Sequence, residues 1–264
     1  MPVSLAFSIC PNDVYLYSGL LSGALPHSYE IKTGDIAQLN TLALTKGADI
    51  LKVSAGLIPR LLDHYEVSAV GGSFGIDSGP KIVVRKGDLV DQELNTQLIA
   101  TPGLDTTATF VTRQLYPGVR FEKAGLKEIP SLVRDGTYRF GIVINESMEL
   151  LDQYNLEIKE DLALAWNKHH GHPLPLGMVV MSKNMIPEAQ KQFESDVRLS
   201  LSWARENHQE AMNMVNEFCP ESSREAQQIH IERFTSHALD TFENKKAIDF
   251  FLNCVKDQDT RSFL

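Results

Sequence analysis

A chain of 264 residues with 43% hydrophobic side chains has the apolar mass for a large core and is not compositionally disordered. Its formal net charge of −9 argues against a nucleic-acid surface, which needs a basic stripe, and no run of ~18 apolar residues is available for a membrane span. Cys10, Cys219 and Cys254 sit in unrelated contexts that suit neither a disulfide ladder nor a CxxC pair. With no secretory pattern at the N-terminus, they lead to the expectation of a reducing, cytoplasmic location.

The apolar run Val3–Phe7 predicts a first strand. It enters the turn Ser8-Ile9-Cys10-Pro11-Asn12-Asp13 and then a predicted helix, Val14–Leu21, closed by Ser22-Gly23. Ile36, Leu39, Asn40, Leu42 and Ala43 keep helical spacing and predict a helix over Ile36–Thr45. Asp49–Ser54 predicts a buried strand, and Leu57–Tyr65 a helix with Pro59 in its first turn. Strands are expected at Val67–Val70 and Lys81–Arg85, on either side of a glycine-rich stretch from Gly71 to Pro80.

A second α/β series is predicted next: strand Leu98–Ala100, the turn Thr101-Pro102-Gly103-Leu104-Asp105, helices Thr106–Gln114 and Glu128–Arg134, strand Phe140–Asn145 and a short helix Met148–Tyr154. His169-His170-Gly171-His172 reads as a solvated loop leading into Pro173-Leu174-Pro175-Leu176-Gly177 and a strand at Met178–Ser182. The last third reads as helices only: Pro187 to about Asn207, Glu221–Leu239 and Asn244–Val255. The pattern predicts an α/β fold of two lobes with a ligand cleft between them, residues 1–85 and 182–264 forming one lobe and 86–181 the other.

Both turns open helices with oxygen-bearing side chains and backbone N–H donors, a chemistry suited to carboxylates or hydroxyl-rich ligands. Thr106 and Thr107 are candidate ligand contacts, although ordinary N-capping uses the same groups. Ser54 ends a buried strand, where open α/β sheets place ligands, or else bonds its own turn. Asn12 and Asp13 join capping to the same possibility. Asn40 is a polar residue on an apolar helical face, suited either to a ligand or to a backbone partner. His230 and His237 share a helix face and read as packing or surface residues.

Several of these segments, in this order, resemble the 1,4-dihydroxy-6-naphthoate synthases of the futalosine route to menaquinone. The resemblance rests on Ser8-Ile9-Cys10-Pro11-Asn12-Asp13, Asp35-Ile36-Ala37-Gln38-Leu39-Asn40, Asp49-Ile50-Leu51-Lys52-Val53-Ser54, Ser78-Gly79-Pro80, Pro102-Gly103 with Thr106-Thr107-Ala108, and Pro173-Leu174-Pro175-Leu176-Gly177. It implies a two-lobe, type II periplasmic-binding-protein-like fold, a cytoplasmic enzyme without cofactor, and cyclic dehypoxanthine futalosine as the carboxylate-bearing, nucleoside-derived substrate. It also implies that Ser54, Thr106, Thr107, Asn12 and Asn40 contact that substrate.

The chain departs from the family at Ile76-Asp77, where small residues prevail, and at Asn145, where the family carries a histidine followed by glutamate as the proposed base. Asparagine does not titrate near neutral pH. The departure leaves two alternatives: a catalytically weak or silent aromatic-carboxylate binding protein on the same fold, or a substitute base, for which His172 is a candidate. A metal at the three histidines is the remaining reading, although no carboxylate motif completes a ligand set there.

Overall fold

The computed structural model describes residues 2–77, 79–88, 94–144, 151–235 and 242–261. In chain order its elements begin with β1 (Val3–Ser8), α1 (Pro11–Leu21), β2 (Tyr29–Gly34), α2 (Ile36–Leu44), β3 (Ile50–Ser54), a 3-10 helix over Ala55–Arg60, β4 (Tyr65–Val67), β5 (Phe74–Gly75) and β6 (Lys81–Arg85). Then come β7 (Leu98–Thr101), α3 (Thr107–Leu115), β8 (Arg120–Lys123), α4 (Ile129–Arg134), β9 (Phe140–Val143), β10 (Leu156–Asp161), α5 (Leu162–His170), β11 (Leu174–Pro175) and β12 (Gly177–Ser182). Helices α6 (Pro187–Glu206), α7 (His208–Phe218), α8 (Arg224–Thr235) and α9 (Phe242–Arg261) complete the chain.

The chain divides into two compact units, Met1–Phe74 with Gly177–Leu252, and Gly75–Leu176 with Asn253–Leu264. The first holds a mixed sheet in the order β2-β1-β3-β12-β4, with β1 parallel to β2 and β3, and β12 antiparallel to β3 and β4. Its central strand β3 is buried at every residue, as a strand covered on both faces must be. Helix α1 packs against α6, α7 and α8, and Pro11 to Leu20 are all buried, so it lacks the polar stripe of a surface helix. Small residues allow the closest crossing: a Cβ on Gly19 would stand 2.9 Å from the Ser200 Cα. The Ser200 hydroxyl accepts from the Gly19 N–H at 3.1 Å and donates to the Leu16 carbonyl at 2.7 Å.

The second unit holds a mixed sheet in the order β10-β6-β9-β7-β8 around a core of Val83, Ala100, Ile129, Val133, Val143 and Leu156. Lys81 on β6 pairs with Asp161, whose other carboxylate oxygen caps α5 through the Ala163 and Leu164 N–H groups.

Several local expectations are corrected. The expected helix at Leu57–Tyr65 is a 3-10 turn over Ala55–Arg60, and Tyr65 already belongs to β4, which ends at Val67. Strand β6, placed by the sequence pattern with the first 85 residues, lies in the second unit's sheet. His169 and His170 are the last residues of α5 rather than loop, with Gly171 at φ 69° as a left-handed C-cap. Of the expected helix Met148–Tyr154, residues 148–150 lie outside the described residues, as do Ser78, Asn145 and His237.

Candidate active site

In the first unit β1 and β3 run parallel, and their carboxyl ends carry Ser8 and Ser54. Loops leaving the carboxyl ends of parallel strands are where α/β sheets bind ligands. The loop after β1 enters α1 with Cys10 at the N-cap and Pro11 in the first turn, where a missing N–H costs nothing. Asp13 follows in that turn, 2% exposed, but its carboxylate does not cap the helix. One oxygen accepts from Lys52 Nζ at 2.9 Å and from Asn12 Nδ2 at 3.0 Å; the other accepts from the Ser8 hydroxyl at 2.5 Å.

Lys52 is the ionisable member of the otherwise apolar centre of β3 and is 3% exposed. Its ammonium also donates to the Gly71 carbonyl at 2.6 Å. A buried charge is tolerated only when paired and hydrogen-bonded, and this one has both. Two glycines make the room: Gly71 has φ +80°, a conformation that side chains disfavour, and a Cβ on Gly177 would stand 2.7 Å from Lys52 Cε. The Ser8–Asp13 turn, the buried strand, the glycine-rich stretch and the end of the Pro-Leu-Pro-Leu-Gly segment thus meet at one lysine.

Two residues further along β3, on the same face as Lys52, Ser54 pairs with Asn40. The Ser54 N–H donates to Asn40 Oδ1 at 2.9 Å, and Asn40 Nδ2 donates to the Ser54 hydroxyl at 3.0 Å. Both side chains are buried, and the Asn40 amide meets the backbone N–H and the hydroxyl of Ser54. On the other flank His230 Nε2 lies 2.8 Å from Asn12 Oδ1, so this histidine of α8 is tied to the turn rather than serving as packing or surface alone. Tyr17, stacked on Phe7 at 4.3 Å, has a fully buried hydroxyl with no partner among the described residues. Burial first, then the nearby Asp13 charge, holds its pKa well above the usual phenol value, so it stays protonated.

In the second unit the turn after β7 is organised by threonines. Thr106 is the N-cap of α3, accepting from the Thr109 N–H at 3.3 Å and donating to the Gly103 carbonyl at 2.9 Å. Thr109, fully buried, donates to the same carbonyl at 2.7 Å and lies 2.6 Å from the Thr101 hydroxyl. The Thr107 hydroxyl donates to the Leu176 carbonyl at 2.9 Å, which ties α3 to the Pro-Leu-Pro-Leu-Gly segment. Capping therefore describes Thr106 as it stands. Thr106→Ala is expected to cost about 1 kcal/mol of stability and Thr106→Ser much less, as measured by urea unfolding.

The structure thus gathers Asn12, Asn40 and Ser54 into one unit and Thr106 and Thr107 into the other. His172 is half-buried in the loop after α5. Its neighbour His170 packs at a tilt against Trp166, ring centres 4.2 Å apart, and burial, then the charges of His169 and His172, lowers the His170 pKa. Asn145 follows β9, which ends at Val143, and lies outside the described residues. Among the described residues no group of three or more His, Cys, Asp and Glu side chains is placed to hold a metal ion, and no helix is long and apolar enough to cross a membrane. Sequence reasoning assigned no role to Lys52 and missed the tie of His230 to Asn12. A lone lysine inside a buried strand was the available signal for the first.

Residues 3–256 match the menaquinone biosynthesis family. A relative from Thermus thermophilus, named as a 1,4-dihydroxy-6-naphthoate synthase, is 29% identical over 88% of this chain and 85% of its own length. A crystal structure of an Archaeoglobus fulgidus protein superposes with a TM-score of 0.89 at 22% identity, covering 98% of each chain. The periplasmic aliphatic sulphonate binding protein of Escherichia coli superposes with a TM-score of 0.68 at 9% identity, covering 98% of this chain and 87% of that one. The fold is therefore that of the periplasmic binding proteins. With the match extending over nearly its whole length, the chain belongs to the menaquinone biosynthesis family.

Proposed function

We propose that this chain is a 1,4-dihydroxy-6-naphthoate synthase, a lyase that converts cyclic dehypoxanthine futalosine to 1,4-dihydroxy-6-naphthoate with loss of a sugar-derived fragment. The observation that carries the reading is the family match over residues 3–256, within which Ser8, Asn12, Asp13 and Lys52 are hydrogen-bonded together and Asn40 pairs with Ser54 on the same strand. In this reading Asn12, Asn40 and Ser54 of the first unit, with Thr106 and Thr107 of the second, orient the substrate's hydroxyl and carboxylate groups. The Thr106 hydroxyl is already spent on its cap, so its side of the contact falls to backbone N–H groups at the start of α3.

Chemistry begins with removal of an activated proton, and elimination with aromatisation then expels the fragment, a course that needs no redox cofactor. The three cysteines form no disulfide with one another, which fits a protein working in the cytoplasm. Incubating purified protein with cyclic dehypoxanthine futalosine and following the naphthoate by mass spectrometry tests the assignment: turnover is expected. Binding of the compound without any product would instead support the silent binding protein that Asn145 brought into question. No binding would end both readings.

A further inference from the structure

From Leu5 to Leu20 every residue is buried except Ile9, which is 40% exposed, and its neighbour Cys10, which is half-buried. The polar residues of this turn, Ser8, Asn12 and Asp13, lie inside, and the apolar one lies outside. That inverts the usual order, in which a turn shows its polar side chains to water and hides its apolar ones. The polar groups have a reason to be inside, since Ser8 and Lys52 both bond to the Asp13 carboxylate. An isoleucine left outside beside them suits contact with something other than water.

Ile9 is also held in place. Its N–H donates to the Gly34 carbonyl at 3.2 Å, which carries the β1–β2 ladder one residue past Ser8, and its carbonyl accepts from the Cys219 thiol at 2.9 Å. A β-branched side chain on a backbone fixed at both ends has few rotamers, so it presents one shape. Its place is the carboxyl end of β1. Leu5 and Ala6 lie opposite Ile50 and Leu51 of β3, and the same register carried three residues beyond Ala6 brings Ile9 level with Ser54. The isoleucine thus stands where parallel strands offer their ligand surface, at the height of the Ser54–Asn40 pair. Hydroxyls and amides there orient polar groups, and an apolar wall beside them is what holds a flat carbon ring.

We propose that Ile9 is a specificity-determining residue, its side chain packing on the carbon-ring part of the substrate that ends as the naphthoate; the proposal rests on the synthase reading above. Substrate and product share that ring, so the contact strengthens binding at every stage and leaves the chemical step alone. It selects a flat ring acid over an aliphatic or sugar acid of the same charge, a distinction that hydrogen bonds to a carboxylate cannot make.

The test compares wild type, Ile9→Val and Ile9→Thr on cyclic dehypoxanthine futalosine, with 2-naphthoate as an inhibitor. Valine and threonine are both β-branched and nearly alike in shape, so they keep the turn and differ by a methyl against a hydroxyl. KM is expected to rise by about 5- to 20-fold for Ile9→Thr and by no more than about 4-fold for Ile9→Val, with kcat within about 3-fold in both, the pattern of a lost binding contact. The inhibition constant of 2-naphthoate should rise in step with KM. If wild type turns over and the two variants share one KM, the side chain faces water, and the proposal fails while the synthase reading stands. A fall in kcat for both variants at unchanged KM assigns Ile9 to the shape of the turn and overturns the proposal as well. A wild type that never converts the compound removes the synthase reading, and this proposal goes with it.

Discussion

Lys52→Met is expected to lower the unfolding free energy by about 3–5 kcal/mol, the range seen when one partner of a buried ion pair is removed. Methionine fills the volume of the stem, so the loss is not a cavity effect. What remains is the Asp13 carboxylate, 2% exposed, with Ser8 and Asn12 donating to it among the described residues, and a Gly71 carbonyl without its ammonium. Adding Asp13→Asn should recover much of the stability, since the neutral amide needs no counter-charge. Equilibrium denaturation of the single and double variants, read as shifts in midpoint at constant slope, checks both statements. A single variant as stable as wild type would mean that the pair is not buried as described. Loss of activity is expected in both variants, because the turn that carries Asn12 loses its anchor.

Gly177→Ala is the second large effect, expected at about 1–3 kcal/mol as an overpacked core position. The added methyl would meet Lys52 Cε at 2.7 Å and the Ser73 hydroxyl at 3.3 Å. A lysine end would ordinarily swing aside, but this one is held at its nitrogen by Asp13 and Gly71. Ser73 is held too: its hydroxyl accepts from the Gly177 N–H at 3.1 Å, and its N–H donates to the Gly177 carbonyl at 2.7 Å. The cost should therefore shrink when Lys52 is already methionine, whose end is unpinned. A double-mutant cycle with coupling above about 0.5 kcal/mol would confirm contact between the two sites, and strict additivity would refute it.

The elements readable in the sequence are those with a strong period or a sharp boundary. Val3–Ser8, Ile50–Ser54 and Gly177–Ser182 are interior strands of apolar residues, and each was expected within a residue or two of where it lies. Besides the short pair β5 and β11, the strands that escaped, β2, β8 and β10, lie at the edges of the two five-stranded sheets. There, charges such as Glu30, Lys32, Glu122 and Glu157 face water and blunt the edge, which also erases the hydrophobic pattern. The end of the long helix near Asn207 was expected, but helix α7, which follows it at once over His208–Phe218, was not.

Site residues followed the same logic. Ser54 and Asn40 were visible as polar residues on apolar elements, and the structure joins them. His230 was not legible as a partner of Asn12, because a contact spanning 218 residues leaves no local trace. Lys52 could have been noticed, since an unpaired lysine would not survive inside β3; its partner on α1 could not be named without the fold.

The sheathing of α1 has a consequence for how the protein is made. This helix emerges early from the ribosome, yet α6, α7 and α8, which cover it, come only in the last third of the chain, and β12 must slot between β3 and β4. The nascent first third therefore carries a helix meant to be buried on every side, and an unfilled sheet, until synthesis nears its end. Such late closure of distant contacts slows folding and leaves sticky surface open to misassociation. Truncation ahead of Pro187 should accordingly yield aggregated material rather than a smaller folded body.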